Sequence, residues 1–144
     1  MKEDSAPERC NALALRQATR HVSQFYDQHL AAFGLKGTQF SIVAKLSRGG
    51  PRSINDLARD LVMDRTTLGR NLLPLERDGL ISIGQGQSDL RSKEVTLTAA
   101  GAEKQRQGLK HWQAAQAAFE QSFGAKRSAE LRALMGAVVA SEFS

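Results

Sequence analysis

Apolar residues recur at helical spacing over both ends of the chain and switch to strand spacing once, between residues 80 and 97. Leu13, Ala14, Ala18, Val22, Phe25 and His29 mark a long first helix, roughly 8–32, that ends before Gly34. Ser5-x-x-Glu8, with Pro7 in the first turn, can form a capping box at its start. Gly37-Thr38 reads as a break and a new N-cap. Phe40, Val43, Ala44 and Leu46 then outline a second helix, ended by Arg48-Gly49-Gly50-Pro51. Ser53-Ile54-Asn55-Asp56 caps a short third helix carrying Ile54, Leu57, Ala58 and Leu61. After the brief Val62-Met63 connection, Asp64 fits the N-cap of a fourth helix with Leu68, Leu72 and Leu75 on one face and Gly79 beyond its end. Pro74 lies inside that helix and predicts a bend, offset by packing of the leucine face.

Leu80, Ile81 and Ile83, a Gly-bearing stretch from Gly84 to Asp89, and the alternation of Glu94, Val95, Thr96 and Leu97 predict a two-stranded ribbon with a long tip. Thr98 suits the N-cap of a fifth helix, about 99–122, bearing Leu109, Trp112, Ala115 and Phe119. Gly124 breaks it, and Ser128 opens a last helix with Leu131, Leu134, Met135, Val138 and Val139. Short helix, tight connection, leucine-striped helix and ribbon in this order make a winged helix-turn-helix. The fold class is therefore mainly α with a small β-wing and a helical dimerisation domain. The expected division is an N-terminal dimerisation helix (1–36), a winged lobe (37–98) and C-terminal dimerisation helices (99–144). Phe123, Leu131, Leu134, Val138 and Phe143 give the outer helices apolar surface that a partner has to bury.

Charge sharpens this picture. The 144 residues carry a net charge of +5. Residues 45–93 hold 9 basic and 6 acidic groups, so +3 of that excess lies in the middle third. Seven of those basic groups are arginines, whose planar fork suits phosphates and guanine edges. The DNA major groove admits one α-helix, which needs an apolar face for its own domain and a polar face for bases. At about 100° per residue, turning Leu68, Leu72 and Leu75 inward points Thr66, Arg70 and Arg77 away, with Arg65 and Thr67 on the flanks. Arg70 is the candidate for a bidentate guanine contact, and Thr66 and Thr67 for a thymine methyl or a phosphate. Asn71 is less favourably directed, and Ser53 completes the expected contacts from the helices. At the ribbon tip, Arg91 suits the minor groove and Lys93 a phosphate, with Ser92 between them. Asp89 is negative, so its expected role is to accept hydrogen bonds that fix the tip.

The run Leu57-Ala58-x-x-Leu61-x-Met63-Asp64-Arg65-Thr66-Thr67-Leu68-x-Arg70-Asn71-Leu72 resembles the recognition segment of the MarR family of bacterial regulators. Asp78-Gly79-Leu80-Ile81 follows as in that family. Asp89-x-Arg91-Ser92-Lys93-x-Val95-x-Leu97-Thr98-x-x-Gly101 is similar to its wing. The stretch from Gln85 to Ser88 departs from the family in being polar rather than basic. The resemblance implies a homodimer reading a palindromic operator in double-stranded DNA, and a repressor released by a small molecule or an oxidant. It also implies an effector pocket between the dimer helices and the DNA-binding lobe. His21, Phe25 and Tyr26 are the candidates for it, with Trp112 further off, and an aromatic acid or phenol is the expected ligand.

Cys10 is the sole thiol. A helix N-terminus lowers thiol pKa and favours the reactive thiolate. The peroxide-sensing branch of the family also keeps a cysteine early in its first helix. Without a second cysteine, oxidation ends at sulfenic acid or a mixed disulfide. His21, His29 and His111 have no metal-ligand spacing, and Cys10 lies about 16 Å from His21 along a helix, so no metal or cofactor is expected. No nucleophile elbow, phosphate loop or paired catalytic carboxylates appear, which argues against an enzyme. The polar N-terminus and the lack of a long apolar run predict a cytoplasmic protein without a membrane segment. The alternative is a winged helix that binds protein through the same helices.

Overall fold

The computed structural model describes residues 7–87 and 89–143. Six helices and three strands follow one another: α1 (Asn11–Leu30), α2 (Gly37–Gly49), β1 (Arg52–Ser53), α3 (Ile54–Leu61), α4 (Arg65–Arg77), β2 (Ile81–Gln85), β3 (Lys93–Leu97), α5 (Ala99–Phe123) and α6 (Ala125–Ala140). Short 3₁₀ turns at Pro7–Arg9 and Ala31–Phe33 flank α1. The sheet is antiparallel in the order β1-β3-β2, with Arg52 and Ile83 both paired to Val95. The expected ribbon thus has a third strand. Two residues are too short to show any alternation, so β1 is visible only through its pairing with β3.

α3, α4 and α5 start where their caps predict. Ser53 Oγ accepts from the Asp56 N–H at 3.1 Å, and Thr98 Oγ1 accepts from the Gly101 N–H at 3.0 Å while donating to the Gly79 carbonyl at 2.7 Å. Two starts differ. The N-cap of α2 is Lys36 rather than Thr38, so the helix begins at Gly37, and its first N–H is satisfied from another helix: Asp27 Oδ1 of α1 accepts from Gly37 at 2.7 Å. α6 begins at Ala125 rather than at Ser128. Ser128 is buried inside the first turn, where its hydroxyl donates back to the Gly124 carbonyl at 2.7 Å. The continuous stretch of α1 ends at Leu30; a 3₁₀ turn carries the chain to Gly34, whose φ of +86° stops it. α4 runs through Pro74 to Arg77 without a break, held by buried Leu72 and Leu75. Ser5, the proposed start of the first capping box, lies outside the described residues.

One core joins the winged lobe to α1 and α5. Leu57, Leu68, Leu72 and Leu75 meet Ile42, Val43 and Leu46 of α2 and Val95 of β3, and Leu30, Phe33, Leu35 and Phe40 continue it. Each such side chain is worth about 1.5–3 kcal/mol of burial. α5 approaches this core through two glycines. A Cβ on Gly108 would stand 2.4 Å from the Phe33 ring, and one on Gly101 would stand 2.0 Å from the Leu80 carbonyl oxygen. α6 is different: Leu134 and Val139 are more than 60% exposed, and Phe143, beyond its end, is 82% exposed.

Candidate nucleic-acid interface

α3, its connection and α4 form the helix-turn-helix. Val62 sits at the connection with φ +53°, a left-handed conformation that costs an L-residue about 1–2 kcal/mol. The turn offsets this by satisfying the end of α3: the Val62 N–H donates to Arg59 O at 3.1 Å and the Met63 N–H to Ala58 O at 2.9 Å. Asp64 then caps α4. Its carboxylate accepts from the Thr67 N–H at 2.7 Å and from the Thr67 hydroxyl at 2.9 Å. These bonds, the backbone one foremost, hold the Asp64 carboxyl below its ordinary value. The cap is therefore charged at neutral pH and is lost only as pH falls through that lowered value.

The leucine face of α4 is buried, and Arg65, Thr66, Thr67 and Arg70 on the other side are exposed. Asn71 is half-buried and donates to the Thr67 carbonyl at 2.9 Å, so its amide is already engaged along the helix. Thr67 likewise spends its hydroxyl proton on Asp64. Ser53 caps α3 and is half-buried. Three of the seven central arginines are held by ion pairs: Arg52 with Asp60, Arg59 with Asp56 at 3.3 Å and Arg77 with Asp78 at 3.4 Å. Among the described residues, Arg48, Arg65, Arg70 and Arg91 have no such partner. Arg70 acts on Asp64 only through space.

The wing tip is a stapled turn. Asp89 Oδ1 accepts from the Arg91 N–H at 2.9 Å, its carbonyl accepts from the Ser92 hydroxyl at 2.9 Å, and Gln85 Nε2 donates to Leu90 O at 2.8 Å. Gly86 closes it, since a Cβ there would lie 2.7 Å from the Asp89 carbonyl oxygen. Arg91 and Lys93 are exposed, and Ser92 is half-buried. Two residues that the sequence reading left aside, Leu73 of α4 and Leu90 of the tip, are each about two-thirds exposed across a groove between helix and wing. Leu73 lies off the buried leucine stripe, which is the signal that sets it apart.

The three effector candidates do not share one pocket. His21 and Phe25 line a groove of about 390 Å³ with Phe119 and Phe123. Tyr26 lines a second cavity, about 550 Å³, together with Trp112, Gln116, Leu61 and Met63. The Tyr26 hydroxyl donates to Gln116 Oε1 at 2.5 Å, and burial, then Glu120, raises its pKa. Cys10 is exposed immediately before α1. The N–H groups of Leu13 and then Ala12 pull its thiol below the ordinary value, with Arg16 adding to the effect. Among the described residues, no helix is long and apolar enough to cross a membrane, and no three metal-capable side chains cluster.

Residues 35–93 match the model of the MarR family. The transcriptional activatory protein BadR of Rhodopseudomonas palustris is 31% identical over 103 residues, spanning 68% of this chain and 59% of BadR. The HTH-type transcriptional regulator YwoH of Bacillus subtilis is 29% identical over 90 residues, 62% of this chain and 65% of YwoH. The chain thus spans about three-fifths of the length of these curated relatives. A crystal structure of the M. tuberculosis transcriptional regulator MosR in complex with DNA is 33% identical, covers 94% of this chain and all of that one, and superposes with a TM-score of 0.79.

Proposed function

The chain belongs to the MarR family, and on that premise we propose that it is a transcriptional regulator that binds double-stranded DNA as a homodimer. The observation that carries this reading is the α4 surface. Its N-terminus is capped at Asp64, its apolar face is buried, and Arg65 and Arg70 stand on the polar face without ion pairs among the described residues. In this arrangement Arg70 reads a base edge in the major groove with Thr66 beside it. Arg65, Thr67, Asn71 and Ser53 position the backbone. Arg91 enters the minor groove, with Ser92 and Lys93 on phosphates and Asp89 holding the tip. The exposed apolar face of α6, with α1 and α5, is where the second copy docks. This reading keeps the division into 1–36, 37–98 and 99–144, and as a regulator that binds DNA rather than catalysing a reaction the protein works in the cytoplasm, where the chromosome is.

Selection from random duplexes is expected to recover a palindrome bound by two chains. The affinity for it falls linearly on logarithmic axes as salt rises, because neutralised phosphates release counterions. Salt-independent binding, or no binding at low salt, counts against the reading. The regulator represses when bound and is released by an effector. BadR is named as an activatory protein, so a promoter reporter decides the sign.

The Tyr26 cavity is the effector site that we favour over the His21–Phe25 groove. It touches Leu61 and Met63 on either side of the strained Val62, so occupancy bears on the connection that sets the angle of α4. A second input is oxidation of Cys10, favoured by its exposure and the backbone N–H groups that stabilise its thiolate. In a DNA-release assay, hydroperoxide is expected to act on the parent protein and not on Cys10→Ser. Equal release of both removes the redox input. A phenolic acid is expected to release both equally, and Tyr26→Trp, which fills the cavity, to blunt that release. An unaltered response of Tyr26→Trp removes the cavity as the effector site.

A further inference from the structure

Leu73 interrupts the polar face of α4. It stands seven residues after Thr66 and three after Arg70, so it shares their side of the helix. Leu90 lines the same groove, of about 610 Å³, from the wing tip. Both leucines are about two-thirds exposed, and neither belongs to the core. Gly69 of α4 and Gly84 of β2 also line the groove, and a Cβ on either would meet nothing within 4 Å. The cleft between helix and wing is therefore open to close approach by another chain's backbone. Arg91 and Lys93 are exposed on its wing side, and Glu76, one turn past Leu73, is the one carboxylate in its lining. Two apolar rims beside two cations are complementary to a chain that alternates apolar and anionic units.

We propose that Leu73 and Leu90 clamp one sugar–phosphate strand of the duplex, packing on its deoxyribose rings while Lys93 takes a phosphate beside them. This rests on the DNA-binding reading: with α4 in the major groove and Arg91 in the adjacent minor groove, one strand has to cross the cleft between them. C2′ of deoxyribose carries only hydrogen, whereas ribose carries a hydroxyl there. A hydroxyl pressed against two leucines loses water and gains no partner. The pair thus selects DNA over RNA in that strand, and because every nucleotide carries the same sugar, it holds all sequences alike.

The test titrates the full chain against its selected operator and a scrambled duplex over a range of salt. Leu73→Ala and Leu90→Ala are each expected to weaken both duplexes about fivefold, the order that one or two buried methylenes give. The salt slope stays as in the parent, because no phosphate contact is lost, whereas Arg91→Ala lowers it by about one unit. Both leucine variants keep the parent's denaturant midpoint, since neither side chain belongs to the core. A single ribonucleotide moved along one half-site is expected to cost the parent about tenfold at one or two neighbouring positions of one strand. In the Leu73→Ala/Leu90→Ala double variant that cost disappears. A ribonucleotide cost that is absent from the parent or survives in the double variant overturns the proposal. A loss confined to the operator also overturns it and assigns the leucines to a base edge. Unchanged affinity in both single variants overturns it as well and leaves the pair to a protein partner, while the parent's salt-dependent binding keeps the DNA-binding reading intact. A parent that binds neither duplex at low salt fails that reading itself and takes the clamp with it.

Discussion

Arg70→Ala is expected to weaken binding to the selected operator by about 1–3 kcal/mol and to relax specificity at one base position. The effect is confined to binding. Arg70 is exposed and has no ion pair within the described residues, so its removal changes stability by no more than about 0.5 kcal/mol. Arg65→Ala, at the start of the same helix, is expected to weaken all sequences alike and to lower the salt slope by about one unit. Arg77→Ala is the control. That arginine pairs with Asp78 at the far end of α4, away from the N-terminal turns that we propose enter the groove. Titrations of the three variants against operator and scrambled duplex separate the roles. If Arg70→Ala binds the operator as the parent does, α4 does not read bases through this residue, and the protein-binding alternative gains.

Gly101→Ala is expected to be the most damaging single-methyl change in the chain, costing about 3 kcal/mol or more of stability. Two effects oppose each other. Alanine inside a helix is favoured over glycine by about 0.5–1 kcal/mol. Against that, the new Cβ falls 2.0 Å from the Leu80 carbonyl oxygen and 2.6 Å from Leu97 Cδ1. The leucine side chain can rotate away. The carbonyl cannot, because it accepts the Thr98 N–H at 3.1 Å and its residue is tied to Leu75 O through its own N–H at 2.9 Å. The clash therefore wins, and it pushes α5 off the winged lobe. Gly69→Ala, in α4 with open space around it, shows the opposite sign and gains the helix term alone. Denaturant melts of the two variants check the contrast, and a Gly101→Ala protein as stable as its parent would mean that α5 does not approach Leu80 this closely.

The parts of this fold that were legible in the sequence are those whose cause is local. Ser53, Asp64 and Thr98 cap helices from three residues away, and each signal stands in the sequence itself. The leucine stripe of α4 is likewise a matter of spacing. What escaped depends on distant residues. The first N–H of α2 is satisfied by Asp27, ten residues earlier on another helix, and β1 exists only because β3 passes beside it. At the interface, the spacing of Arg70 from Leu68 and Leu72 indicated its direction. The commitment of Arg52 to Asp60 needed the fold, whereas that of Arg59 to Asp56, one turn apart, could have been read beforehand. The effector candidates show the same boundary. Phe25 and Tyr26 are adjacent in sequence, yet about 100° of helix separates them, and each faces a different cavity.

The most direct test is the geometry of the dimer on DNA. Two recognition helices held by the outer helices should sit one turn of duplex apart, about 34–36 Å. Titrating the protein against its palindrome with about five base pairs inserted between the half-sites turns one half-site to the opposite side of the duplex. Affinity is then expected to fall to the level of unrelated DNA and to recover in part when about ten are inserted. Undiminished affinity for the half-turn insertion would contradict a rigid pair of α4 surfaces reading adjacent grooves.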